Sequence, residues 1–347
     1  MALLLLDRAQ LEVKSEGDTL ALYEAGVRRG TVPIKLIDRC IIQGSQTRLD
    51  SGVLIKLADA GATTVLMSPR HPRRVAIVLG PQHNDASVRL AQALRVVDDA
   101  WCRSWALSVV RAKLARQNRA LQFWQAQRPD ARKPTFDALQ TISTIRATLQ
   151  NGAGGNNSEN INDTTTLPTL VTLRGHEGAA ARAYFGAMAG VMPPALGFTG
   201  RNRRPPRDPV NACLSLGYTL LHAQAVQACA VTGLDPLLGF YHRPSFGRES
   251  LASDLIEALR PAVDLWVWEL LRSRTLCEDH FSTAAQDGGA CLLGKAGRSI
   301  FYADWERASK PWQRWLRTLA QALARQLRHQ GIGYLVHGHP LGDESWD

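Results

Sequence analysis

The period of apolar positions changes once along this chain. From Leu3 to Leu79 they fall in short runs: LLLL, LEVKSEGDTLALYEAG with a Gly17-Asp18 turn inside it, VPIKLIDRCIIQG, TTVLMS and RRVAIVL. Short runs rich in Leu, Ile, Val and Thr, bounded by turn residues, predict β-strands. One segment among them, SGVLIKLADAG, places Val53, Leu54, Leu57 and Ala58 at helical spacing, with Asp50 or Ser51 available as its cap. Past residue 80 the period becomes helical. From Arg89 to Trp124 the chain runs 36 residues without Gly or Pro, and Leu90, Leu94, Val97, Trp101, Trp105 and Val109 follow i+3/i+4 steps. That pattern predicts one long helix. Its Arg103, Arg111, Lys113, Arg116 and Arg119 read as a solvated face, with nucleic-acid contact as the alternative.

Punctuation marks the other elements. Asp208, Pro209 and Gly233 supply cap, first position and stop for a long apolar helix, DPVNACLSLGYTLLHAQAVQACAVTG. Upstream, Gly175 precedes a helix expected over about His176 to Ala189, which puts Glu177 in its first turn. LASDLIEAL and PAVDLWVWELLRS are helical, HFSTAAQDGGACLLGKAGRSIFYADWERA contains a short hairpin, and the amphipathic PWQRWLRTLAQALARQLRHQG is expected to stop at Gly331. The run RNRRPPRDP is extended, because its prolines cannot sit inside a helix. The fold class is therefore α+β, with a small β-rich N-terminal domain at 1–80, a linker at 81–88 and a larger α-helical domain at 89–347. Within the last, residues 151–166 (NGAGGNNSENINDTTT) lack bulky apolar groups and read as a flexible loop.

Composition narrows the class. The 347 residues carry 41 Lys and Arg against 31 Asp and Glu, a formal charge of +10 that favours polyanionic partners. Cys40, Cys102, Cys213, Cys229, Cys277 and Cys291 form no CxxC pair, which disfavours a zinc ribbon and a disulfide scaffold and fits a reducing cytoplasm. The opening leucines end at an Asp-Arg pair and read as a strand, not a signal peptide. No apolar run approaches the roughly 18 residues that span a bilayer.

The chemistry-bearing types gather in GFYHRPSFGRESLASDLIEALRP, residues 239–261. His242 lies a short loop upstream of Asp254 and Glu257, and the i, i+3 spacing of the two acids puts both on one helical face. An imidazole with carboxylates suits Mg²⁺ or Mn²⁺. Each group also has a plainer reading: a structural histidine, a helix-start glutamate at Glu177 complementing the macrodipole, and acids paired with Arg248 or Arg260.

Taken together, EGAAARAYF, DPVNACLSLGYTLL, GLDPLLGFYH and SLASDLIEALRP resemble the CRISPR-associated adaptation integrase, the "Cas one" family. Weaker agreement in VRAKLARQNRAL and HFSTAAQDGGACLLGKAGRSIF extends the resemblance over nearly the whole chain. It implies a metal-dependent DNA endonuclease and integrase that inserts captured fragments into a CRISPR array by 3′-hydroxyl transesterification. Glu177, His242 and Glu257 would then be the metal ligands and Asp254 an auxiliary acid. Some members of the family carry Asp at the position of Glu257. The implied partners are double-stranded and branched DNA, a second copy of the chain joined through the β-rich domain, and a small "Cas two" protein.

Arg201, Arg203, Arg204, Arg207 and Arg248 are the candidate phosphate contacts, and a generally basic surface is the alternative reading of them. The main rival function is a non-catalytic DNA-binding subunit of the same complex. A metallohydrolase of small phosphoesters is more distant, since it needs a tight pocket and no basic groove.

Overall fold

The computed structural model describes residues 2–44, 46–68, 74–80, 83, 85–151, 167–202, 205–284 and 289–337. Residues 152–166, Arg203 and Arg204, and Pro81, Gln82 and Asn84 of the expected linker lie outside them.

Two sheets form the N-terminal region. The strands β1 (Ala2–Leu6), β5 (Ile37–Ile42), β7 (Thr63–Met67) and β8 (Arg74–Val78) lie side by side in that order, the first three parallel and β8 antiparallel to β7. The second sheet runs β4 (Val27–Pro33), β3 (Thr19–Glu24), β2 (Leu11–Glu16) and β6 (Arg48–Leu49). The run VPIKLIDRCIIQG is divided: its start ends β4, a 3-10 turn takes Ile34–Leu36, and β5 begins at Ile37. Helix α1 (Ser51–Asp59) starts at Asp50, whose carboxylate accepts from the Val53 N–H at 2.8 Å. Such a cap contributes about 1 kcal/mol.

Side chains alternate across β5. Cys40 and Ile42 join Leu6, Val13, Leu20, Val53 and Leu57 in a small core. Ile41 between them joins Val65 and Met67 in the large core of the helical region. The junction is reinforced by Tyr302 OH donating to Gln43 Oε1 at 2.9 Å and by an ion pair of Arg74 with Glu249.

The helical region follows as α2 (Ala86–Val97), α3 (Asp99–Gln127), α4 (Arg132–Asn151), α5 (Leu170–Val191), α6 (Pro209–Thr232), α7 (Ser250–Ile256), α8 (Arg260–Arg272), α9 (Lys295–Ala308) and α10 (Lys310–His337). The hairpin of β9 (Phe281–Ala284) and β10 (Ala290–Leu293) precedes α9. Helix α6 is central, capped by Asp208 and stopped by Gly233 at φ +83°, as its punctuation requires.

Four expectations are corrected. The single long helix is two, because Asp98 adopts an extended backbone and caps α3 through the Trp101 N–H. Helix α2 already begins at Ala86, capped by Asp85, so the end of the stretch read as a linker is helical. Helix α5 starts at Leu170, capped by Thr169, so Glu177 lies well beyond its first turn. Helix α10 continues through Gly331, where an added Cβ would lie 2.1 Å from Ser87 O, so this glycine permits close packing on α2 and does not end the helix. Among the described residues no helix is long and apolar enough to cross a membrane.

Candidate active site

The site is built where the loop after α6 folds back on α7. Gly239 lets the two ends of that loop meet: a Cβ there would lie 2.6 Å from the Ser250 carbonyl carbon and 2.7 Å from His242 O. Asp254, on α7, then gathers the loop. Its Oδ2 accepts from the N–H groups of Phe240 and Tyr241, each at 2.9 Å, and its Oδ1 from the His242 N–H at 2.9 Å. The same Oδ1 lies 2.7 Å from His242 Nδ1. With its oxygens committed, Asp254 has little left to offer a cation. What it fixes is the histidine: a carboxylate accepting from Nδ1–H leaves the Nε2 lone pair facing away.

The nearest carboxylate to it is Glu257, with Nε2 and Oε1 3.9 Å apart. Glu257 begins a 3-10 turn, Glu257–Leu259, between α7 and α8. Its side chain is only 3% exposed, 3.2 Å from Arg260 and 2.6 Å from Lys113. Burial pushes the carboxyl pKa up, but Arg260 and Lys113 outweigh it and hold the group down to about 2.

Glu177 reaches the same place from α5. Lys113 donates to its Oε1, and Tyr241 OH donates to its Oε2 at 2.6 Å. Burial, and then the negative charge and hydrogen bond of Glu177, push the Tyr241 phenol up, so it stays a donor. Lys113 thus spans Glu177 and Glu257. Burial disfavours its charge, yet the two carboxylates raise its pKa above the ordinary lysine value.

Glu177, His242, Asp254 and Glu257 are therefore brought together from α5, the loop after α6, α7 and the 3-10 turn that follows it. The i, i+3 acids divide their work between cradling the loop and facing the shared cation. Among the described residues no group of three or more His, Cys, Asp or Glu already stands in metal-holding geometry. The donor set nevertheless fits a divalent ion. Two carboxylates converge on one positive centre, the Lys113 ammonium, and an imidazole nitrogen is presented beside them.

Lys113 corrects the solvated-face reading of α3: it is buried, as are Gln117 and Asn118. Its signal in the sequence was its place three residues after Val110 and four before Gln117, on a stripe that turns inward. Nothing in the sequence singled out Tyr241 as the partner of Glu177.

Arg201 is turned inward. It donates to Asn211 Oδ1 at 2.7 Å and Ser215 Oγ at 3.1 Å, and it stacks 5.4 Å from the Tyr218 ring centre while Arg260 lies 5.1 Å from the same centre. These three line a cavity of about 50 Å³ that also reaches Glu177 and Lys113. Arg207 and Arg248 are exposed, and Arg203 and Arg204 lie outside the described residues.

Comparison with known proteins follows the same outline. The family profile for CRISPR associated protein Cas1 matches residues 4–307. The CRISPR-associated endonuclease Cas1 1 of Thermodesulfovibrio yellowstonii is 31% identical over 331 residues, covering 94% of this chain and 97% of that one. Among solved structures, a casposase bound to its integration product aligns with a TM-score of 0.78 at 21% identity, over 95% of this chain and 91% of that one. A chain of a Cas6-RT-Cas1–Cas2 complex aligns with a TM-score of 0.75 at 21% identity, over 95% of this chain and 35% of that one.

Proposed function

The chain belongs to the CRISPR associated protein Cas1 family, and on that premise we propose that it is a metal-dependent DNA endonuclease and integrase of CRISPR adaptation. The observation that carries this reading is the convergence of Glu177 and Glu257 on the Lys113 ammonium, with His242 Nε2 3.9 Å from the second oxygen of Glu257. A non-catalytic DNA-binding subunit has no need for a half-buried set of that composition, open on one side.

In the proposed reaction a fragment's 3′-hydroxyl oxygen attacks a phosphorus of the array. The new P–O bond forms as the old 3′-bridging P–O bond breaks, and the attacking oxygen's proton is lost while the departing oxygen gains one. Water in place of the hydroxyl gives cleavage. Mg²⁺ or Mn²⁺, held by Glu177, His242 and Glu257, would supply Lewis-acid stabilisation worth several kcal/mol. Asp254 keeps His242 in the tautomer and orientation that ligation needs, and Tyr241 holds Glu177 in its rotamer. Before a cation arrives, Lys113 and Arg260 neutralise acids that would otherwise repel each other.

A strand-transfer assay on branched DNA tests the reading. Product is expected with Mg²⁺ or Mn²⁺ and none with EDTA or with a fragment lacking its 3′-hydroxyl; transfer undiminished by EDTA would sink it. DNA is proposed as the substrate because relatives are named as Cas1 endonucleases and a solved chain of the same fold is a casposase bound to an integration product. A small Cas2 partner is proposed because the Cas6-RT-Cas1–Cas2 complex contains a chain of this fold. A homodimer built through the β-rich region belongs to the same proposal.

Binding should rest on phosphates. Arg207→Ala and Arg248→Ala are each expected to weaken DNA binding equally for all sequences and to flatten the log–log salt dependence by about one unit. A slope identical to that of the wild type would remove the residue from the interface.

A further inference from the structure

Phe246 is the most exposed large apolar side chain among the described residues, at 108% of its reference area. It is not on a loose loop. Ser245 and Arg248 form an antiparallel bridge, the Arg248 N–H donates to Ser245 O at 3.1 Å, and Gly247 takes the left-handed φ of +69° that closes the turn. Below the tip, the Arg243 guanidinium donates to Val96 O at 2.8 Å and lies 3.5 Å from Asp99, while Ser250 Oγ donates to Arg243 O at 3.1 Å. The loop is pinched at Gly239 and its first residues are gripped by Asp254. An aromatic ring is thus presented to water by an anchored turn, four residues beyond His242. That separation is at most about 14 Å along the chain, the reach of a couple of nucleotides.

The surroundings of the ring select its occupant. Residues 243–248 are all exposed, and apart from Phe246 they are Arg, Pro, Ser, Gly and Arg, so the turn carries one bulky apolar side chain between two guanidiniums and not a run of the kind that a docked protein would cover. Arg248 has no ion-pair partner among the described residues. An exposed ring two residues before an exposed guanidinium, on one anchored turn, matches a nucleobase and its neighbouring phosphate. Bases inside a duplex have both faces stacked, so the match is to an unpaired base.

We propose that Phe246 is a positioning residue: it stacks on an unpaired nucleobase of branched DNA lying across the active site, with Arg248 on the neighbouring phosphate. This rests on the DNA-directed function proposed above, and the test separates the two. Full-length protein in EDTA is titrated against a branched DNA carrying one unpaired 2-aminopurine at the branch, and against a fully paired duplex of equal length.

Wild type should quench the 2-aminopurine. Phe246→Ala should lose the quench and bind the branched DNA roughly 5- to 150-fold more weakly, with duplex affinity unchanged, and Phe246→Trp should restore both. An abasic site at the unpaired position should weaken wild type by the same factor and leave Phe246→Ala unaffected. Equal loss on both DNAs, no loss on either, or a loss confined to binding of a protein partner would overturn the proposal. Because no cation is present, stacking without strand transfer in Mg²⁺ would defeat only the function proposed above. Transfer without Phe246-dependent stacking would defeat only this proposal.

Discussion

Glu177→Ala is expected to reduce strand transfer by about two to four orders of magnitude while leaving DNA affinity nearly unchanged. The size follows from losing a carboxylate of the proposed cation site, where stabilisation of several kcal/mol converts at about 1.4 kcal/mol per decade. Binding is spared because the lost group is an anion and does not attract phosphate. The fold is largely spared as well: Lys113 keeps Glu257 as its counterion, and Tyr241 loses one acceptor, a change of about 1 kcal/mol. Glu177→Gln sharpens the test, since it retains an acceptor for Tyr241 and removes only the charge. Full activity in either variant, measured as joined product per unit time at saturating DNA, would defeat the assignment of Glu177.

Asp254→Asn is expected to damage both stability and activity, although it changes a single atom type. Each carboxylate oxygen faces two donors: Phe240 N and Tyr241 N on one, His242 N and Nδ1 on the other. Whichever way the amide is turned, its NH₂ points at donors in a buried place. The cost is about 2–5 kcal/mol, read as a lower denaturant midpoint at unchanged slope. His242 would also lose its orienting partner, and the Mg²⁺ or Mn²⁺ concentration needed for strand transfer should rise about 10- to 100-fold. A variant as stable as wild type, with the same metal requirement, would show that Asp254 does not organise the loop.

The sequence was legible where local chemistry decides the outcome. Asp208, Pro209 and Gly233 mark both ends of α6 because caps and stops act within a turn, and the change of period near residue 80 separates sheet from helix. Glu177, His242, Asp254 and Glu257 could be named together because each lies in a contiguous motif that carries the family resemblance, and not from local chemistry alone. Partners distant in sequence were not legible. Lys113 looked like one more cation on a polar face until α5 and the Glu257 turn closed over it. The break at Asp98 was hidden because an Asp-Asp pair satisfies a helix's polar positions as well as it caps one. At Gly331 the residue that usually ends a helix serves α2, more than two hundred positions upstream, and no periodicity carries that information. Glu177 was placed in a first turn because Gly175 read as a boundary, whereas an added Cβ there would meet nothing within 4 Å.

The alternation along β5 has a thermodynamic corollary. A strand whose successive side chains belong to two cores is shared property: withdrawing it, with its neighbour β7, from the helical region uncovers Ile41, Val65 and Met67, and withdrawing it from the smaller core uncovers Cys40 and Ile42. Neither region can melt without stripping the other of apolar cover. The boundary that composition draws near residue 80 is therefore a change of architecture inside one cooperative unit, not a seam along which the chain comes apart.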